Sequence, residues 1–193
     1  GAPNPSVGVI IDDIDYSGIG AIIPLFDLEQ VEVLKGAQGI RYGSSALAGI
    51  INFRSQDASA DRSGIIEARV GNDDLQSGSF AVGGAIPGTG DRVQMRITSS
   101  NSHQDGFRDD LFLNRDDTNE RDQHTTRLRL RFLPTDKLTV NLTGLMVDNN
   151  NGYDAFSIDN SLNTQSDRPG SDQVESNAGV LNVGYKLTPD VEI

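Results

Sequence analysis

The chain has no cysteine, no tryptophan and only two histidines. Zero cysteines exclude a disulfide framework and any thiolate metal site, and decide nothing about compartment. Cations are scarce: 16 Lys and Arg stand against 28 Asp and Glu, a formal net charge of −12 that argues against nucleic acid as the partner. Long apolar runs are missing too. Val7–Ile11 and Ile19–Leu25 fall far short of the ~20 residues of a transmembrane helix. That does not exclude a membrane protein built of strands, because barrel strands are half polar. No basic and apolar leader opens the sequence at Gly1-Ala2-Pro3, so a mature, trimmed or partial chain is expected.

What the sequence does have is strict two-residue alternation. Within Thr125–Phe132, Leu128, Leu130 and Phe132 fall on one face and Arg127, Arg129 and Arg131 on the other. Lys137–Met146 and Val180–Leu187 alternate in the same way. The pattern predicts strands at 64–71, 77–86, 92–100, 124–133, 137–147 and 177–187, and the start of another at Val191. Most have the ~9–11 residues that cross a bilayer at a barrel's tilt. Connections 86–91, 133–136 and 187–190 are short turns, whereas 101–123 and 148–176 are long, polar and acidic; 72–76 is short although it occupies a long-loop slot. Tight turns on one rim and long loops on the other describe an outer-membrane β-barrel. A soluble β-sandwich also alternates, but does not sort its loops by length in this way. Every proline after residue 60 (Pro87, Pro134, Pro169, Pro189) lies in a connection, where no ladder hydrogen bond is lost.

Phased as strands, the outward residues are Ile66, Ala68, Val70, Phe80, Val82, Val93, Met95, Ile97, Leu128, Leu130, Phe132, Leu138, Val140, Leu142, Leu181, Val183 and Tyr185, none of them charged. A cation at a lipid-facing midplane position costs about 2–4 kcal/mol, which accounts for the absence. Tyr185 and Phe132 sit at the short-turn end, where an aromatic girdle or ordinary core packing would use them. The inward set is basic: Arg69, Arg92, Arg96, Arg127, Arg129, Arg131, Lys137 and Lys186, with Glu67 the main acid.

Residues 1–54 read differently. Val7–Asp12, Val31–Leu34 and Ile50–Phe53 are short strands, Pro24–Leu28 and Ser44–Ala48 helical turns, and Gly36, Gly39, Gly43 and Gly49 mark tight turns. This region is acidic, with Asp12, Asp13, Asp15, Asp27, Glu29 and Glu32 against Lys35, Arg41 and Arg54. It is therefore complementary to a basic wall, unless that wall is simply a solvated polar face. Residues 55–63 have a linker's composition.

The segment Leu25–Phe53 resembles the plug of TonB-dependent outer-membrane receptors. Glu29, Val31–Gly36 (Val-Glu-Val-Leu-Lys-Gly), Tyr42-Gly43 and Ala48–Asn52 match the family's elements in order, and Val9–Asp13 is similar to its plug strand ending in Ile-Asp-Gly. Ala37, Asp13 and Ala48 replace a common Pro, Gly and Gly. The resemblance implies a mainly β chain: residues 1–54 as the C-terminal part of an α+β plug, 55–63 as a linker, and 64–193 as the first antiparallel strands of a 22-stranded type of transmembrane barrel. The front of the plug, the coupler-binding segment and the rest of the barrel are not in the sequence, so a piece of a longer protein is expected.

By the same resemblance, the whole receptor takes up a scarce ligand with energy supplied through the inner-membrane coupler TonB, in the bacterial outer membrane and among its lipids. A ferric siderophore is the first expectation; cobalamin, a glycan, or a soluble surface β-rich binding module are alternatives. Tyr16, Ser17, Phe26 and Arg41 are candidate ligand contacts near the plug apex. Lys35 holds the position of a family cation that pairs with wall carboxylates and locks the plug; a solvated turn lysine is the plain alternative. No cofactor or enzymatic chemistry is implied. His103 and His124 flank an acidic loop without zinc-site spacing, the loop lacks a calcium-loop pattern, and Gly36–Gly43 lacks the Gly-Lys-Ser/Thr of a phosphate loop.

Overall fold

The computed structural model describes residues 5–19, 23–36, 47–153, 156–157, 159–188 and 191–192. Its first sheet holds β1 (Val7–Ile11), β2 (Ile14–Asp15), β3 (Leu28–Lys35) and β4 (Gly49–Ser55) in the order β2-β1-β4-β3. β1 runs parallel to β4, and β3 antiparallel to it. The continuous apolar run of β1 is what a strand covered on both faces requires. Ile10 and Ile50 pack with Leu34 on one side; Val9, Ile11 and Phe53 face the other. Two aspartates, Asp12 and Asp13, make the β1–β2 turn with φ of 48° and 67°. Positive φ at both positions defines the tight hairpin turn that usually takes Asn or Asp and Gly. Gly49 has φ +151°, and a Cβ there would stand 2.5 Å from the Leu34 carbonyl oxygen, so the close β3–β4 approach needs glycine.

No helix occurs among the described residues. The helical turn expected at Pro24–Leu28 is instead an irregular bend leading into β3, because Asp27 adopts φ +57°. Of Ser44–Ala48, residues 44–46 lie outside the described residues, and Leu47 and Ala48 form a bend. Gly39 and Gly43 likewise lie outside them.

The rest of the chain forms β5 (Ser63–Val70), β6 (Gln76–Ala85), β7 (Val93–Gln104), β8 (Arg108–Asp110), β9 (Arg115–Thr118), β10 (Arg121–Phe132), β11 (Leu138–Tyr153), β12 (Asn163–Thr164), β13 (Gly170–Thr188) and β14 (Val191–Glu192). Seven make one antiparallel sheet in the order β14-β13-β11-β10-β7-β6-β5. The three short ones form a separate sheet, β12-β8-β9, out of the two long connections. The expected strands are present, and β7, β10, β11 and β13 run further on the long-loop side. There both faces are polar, as in Ser99–Ser102 and Asn149–Gly152, so alternation gives no sign of the extension.

The two faces of this sheet separate as the phasing predicts. Leu130 pairs with Met95 and Leu142, and Leu142 with Leu181, giving one apolar row across four strands. Outward side chains are bare in the chain, Ile66 at 85% and Leu181 at 62% exposure. From Leu138 to Met146 the apolar stretch covers about 27 Å of strand, or about 20 Å along the normal at a tilt near 45°. Asp148, His124 and Glu175 share the next outward row, where polarity changes. The inward face carries Leu145, Val147 and Ala178, which close a core with Val9, Ile11, Tyr16, Ile23 and Phe53 of the first sheet. That core joins the two sheets.

The apolar band makes a depth-dependent prediction. In full-length protein in lipid vesicles, Leu142→Arg should cost about 2–4 kcal/mol of unfolding free energy, and Leu187→Arg near the rim about 0–1 kcal/mol. Denaturant unfolding measures both, and equal costs would contradict a hydrocarbon-facing band.

Candidate functional site

Three inward arginines follow one another at alternate positions of β10, their Cα atoms about 7 Å apart. Arg96 on β7 lies directly across from Arg129. Like charges opposed across strands repel, so this arrangement needs interleaved anions. The first sheet and the segment leaving it supply three: Asp27, Asp12 and Asp57. Asp27 faces a fork–fork pair with Arg96, whose Nε donates to Oδ2 at 2.8 Å and whose second nitrogen donates to Oδ1. Thr98 Oγ1 donates to the same carboxylate at 2.6 Å, and Arg127 stands 3.7 Å from it. Arg127 also donates to the Asp27 carbonyl at 3.1 Å. The left-handed bend that ended the expected helix thus presents both carboxylate and carbonyl to the wall.

Asp12 takes Ser55 N–H at 2.8 Å and Ser55 Oγ at 2.7 Å, with Arg129 at 3.5 Å and Arg127 at 3.9 Å. Arg129 donates in turn to the Ser55 carbonyl at 2.8 Å and bridges to Asp57 at 2.5 Å. Arg131 meets the other Asp57 oxygen at 2.8 Å and donates to Asn141 at 3.0 Å. Burial is graded along this clamp. The side chains of Asp12, Asp27 and Arg127 are 3%, 2% and 4% exposed, whereas Asp57 is 38% exposed. At the buried end, desolvating each ion costs several kcal/mol, so the pairs add specificity more than net stability; removing one partner leaves an uncompensated charge. The exposed end is worth little. Beside the clamp lies a polar cavity of about 550 Å³, lined by Asp13, Glu32, Asn52, Arg54 and Asn182 among others. Asn182 donates across it to Asp13 at 3.3 Å.

The remaining inward cations do not join the clamp. Arg69 pairs with Glu67 at 2.8 Å, and Arg92 caps the short-turn rim through the Leu133 carbonyl at 3.1 Å. Lys137 and Lys186 make no ion pair among the described residues. Asp57 is the member that composition hid, because it sits in a stretch read as a linker; Ala58 beside it is buried.

The candidate ligand residues fall as follows. Tyr16 is buried in the intersheet core, with its hydroxyl 3.2 Å from Ser176 Oγ. Ser17 Oγ accepts from Val9 N–H at 3.0 Å. Phe26 is buried against the clamp. Arg41 lies outside the described residues. Lys35 is exposed on β3, the edge strand of the first sheet, and has no ion pair among the described residues. His103 faces Asp105 at 3.4 Å, and His124 meets Asn101 at 2.6 Å.

A sheet docked by buried ion pairs onto the polar side of an antiparallel wall, whose other side is a continuous apolar band, has the layout of a plug against the first strands of a transmembrane β-barrel. Residues 1–50 match the TonB-dependent Receptor Plug Domain family. The pesticin receptor of Yersinia pestis is 36% identical over 83 residues, which are 43% of this chain and 12% of that protein. A vitamin B12 transporter, BtuB, of Vibrio vulnificus is 27% identical over 174 residues, 83% of this chain and 28% of the transporter. Among solved structures, the ferric yersiniabactin uptake receptor FyuA from Yersinia pestis superposes with a TM-score of 0.83 at 22% identity, covering 95% of this chain and 30% of that one. The chain therefore spans less than a third of the length of these relatives. Residues 1–50 thus match the plug domain of TonB-dependent receptors, and the chain as a whole shares the fold of the corresponding part of such a receptor.

Asp27→Ala should strand Arg96, leave Arg127 with Asp12 as its one carboxylate among the described residues, and cost about 3–5 kcal/mol of plug docking, whereas Arg131→Ala at the wet end should cost about 0–1 kcal/mol. Amide exchange at Ile10 and Ile50 in the full-length receptor reads the difference. Adding Arg127→Met to Asp27→Ala should recover part of the loss. Unchanged exchange in Asp27→Ala would show that the clamp does not hold the plug.

Proposed function

We infer that this chain is the plug-to-barrel portion of a receptor that carries a scarce ligand, a ferric siderophore first, across the outer membrane with energy relayed by TonB. Residues 1–54 form the C-terminal part of the plug, 55–63 connect it, and 64–193 begin the barrel. The observation that carries this reading is the clamp: a sheet that fills the inside of a membrane wall and is held there by buried charges blocks passage until something moves it. The plug-domain match supports it, as do the uptake roles named for FyuA and for BtuB. Tyr16, Ser17 and Phe26 are the ligand contacts, beside the exposed Ile19, and Arg41 is a further contact. Lys35 locks against wall carboxylates beyond the strands of this chain.

Cobalamin is the second reading, favoured by the vitamin B12 transporter, which matches most of this chain's length. The test is accumulation of labelled ferric siderophores and of labelled cobalamin by cells expressing the full-length receptor and lacking their own. Iron accumulation that a protonophore or loss of TonB abolishes is the expected result. Cobalamin accumulation without iron would select the second reading. Accumulation of neither, with glycan uptake also absent, would remove the transport role.

A further inference from the structure

On the outward face, near the short-turn rim of β5, β6 and β7, the apolar band is interrupted by a groove of about 670 Å³. Gly64 and Gly84 floor it, and Val82, Met95 and Ile86 form its sides. Gly64 pairs with Val82, and Gly84 with Met95, so all four occupy outward positions. The Gly84–Met95 row continues through Leu130, Leu142 and Leu181, which places the groove inside the apolar band and not above it. The row below, Val93, Phe132, Val140 and Val183, is the last full one before the short turns.

One cation breaks the rule that this face carries no charge. Arg62 lies over the groove: a Cβ on Gly84 would stand 3.0 Å from its Cγ. It is exposed and makes no hydrogen bond or ion pair among the described residues. Every other arginine that flanks β5, β6 or β7 (Arg69, Arg92, Arg96) has a protein partner. An arginine whose stem lies on an apolar surface extends its guanidinium to the nearest interface, where phosphate oxygens match its fork. The short-turn rim is the periplasmic side, and headgroup phosphates lie at that depth.

We propose that Arg62 and the glycine-floored groove over β5–β7 bind one glycerophospholipid of the periplasmic leaflet, its acyl chain in the groove and its phosphate on the guanidinium. The dent is continuous with the lipid-contact face, and an acyl chain is the apolar occupant available there. The cation at its mouth is complementary to a phosphate. The bound lipid covers the place where the chain leaves the plug and enters the barrel. This site rests on the outer-membrane placement, and the experiment separates the two.

The full-length receptor is reconstituted in vesicles of phosphatidylethanolamine and phosphatidylglycerol with a photoactivatable group on the acyl chain, irradiated, and mapped by peptide mass spectrometry. Labelling within residues 82–95 should exceed that within the plain lipid-facing strip 181–185 by about tenfold, as one charge-assisted contact allows. Arg62→Glu, and Gly64→Leu to fill the floor, should each reduce it to the level of the strip, while Arg62→Lys retains most of the excess. Heat-modifiable electrophoretic mobility confirms folded barrels for each variant. Equal labelling of the two regions in the unsubstituted receptor, or an excess that survives both substitutions, would overturn the site. Absence of label from both regions would overturn the membrane placement itself and the site with it.

Discussion

Four guanidinium groups crowded on one wall cannot stand alone. Arg96, Arg127, Arg129 and Arg131 occupy neighbouring inward positions, two of them directly opposed, and among the described residues the carboxylates that relieve their mutual repulsion are Asp12, Asp27 and Asp57. The rest of the architecture is arranged around this need. The Asp12-Asp13 turn accepts two left-handed residues and puts one carboxylate on Ser55 and the arginines. The bend at Phe26-Asp27 gives up a helical turn to aim another. The intersheet core of Ile11, Phe53, Leu145 and Val147 then seals the buried end from water, which makes each of those charges dependent on its partners.

Most of the wall was legible in the sequence because physics leaves a two-residue signature wherever one face meets hydrocarbon and the other meets protein. Leu128 to Phe132 and Leu138 to Leu142 show it plainly. The signature fades past Met146 and before Ser176, where both faces are wet, and the strand ends there could not be read. Charge complementarity between the first segment and the wall was also legible, since the sign of an inward face follows once its phase is known. Which acids would be used was not. Glu29 and Asp15 were as acidic in the sequence as Asp27, and only the backbone bend distinguishes them. Asp57 was hidden by the small polar residues around it, which resemble a loose connection until Ala58 is seen to be buried. The helical turn at Pro24–Leu28 was a local propensity overridden by a tertiary contact.

The two faces of the wall solve one problem in opposite ways. Outside, Arg62 apart, charge is excluded row by row until Asp148, His124 and Glu175 mark the end of the apolar band. Inside, charge is concentrated and then neutralised. Small residues make the second solution possible: Ala81, Thr98 and Ala178 lie in the same cross-strand row as Arg127 and leave room for the first sheet to come close.

Asp57 belongs neither to the first sheet nor to the barrel, but to the stretch that joins them. Its bridges to Arg129 and Arg131 are partly exposed and weak, but they lie on a point that the chain itself ties to β5. The first sheet is thus a stopper on a short leash. Under the transport role proposed above, its return would be an intramolecular event at high effective concentration. Resealing then needs no search and no second molecule.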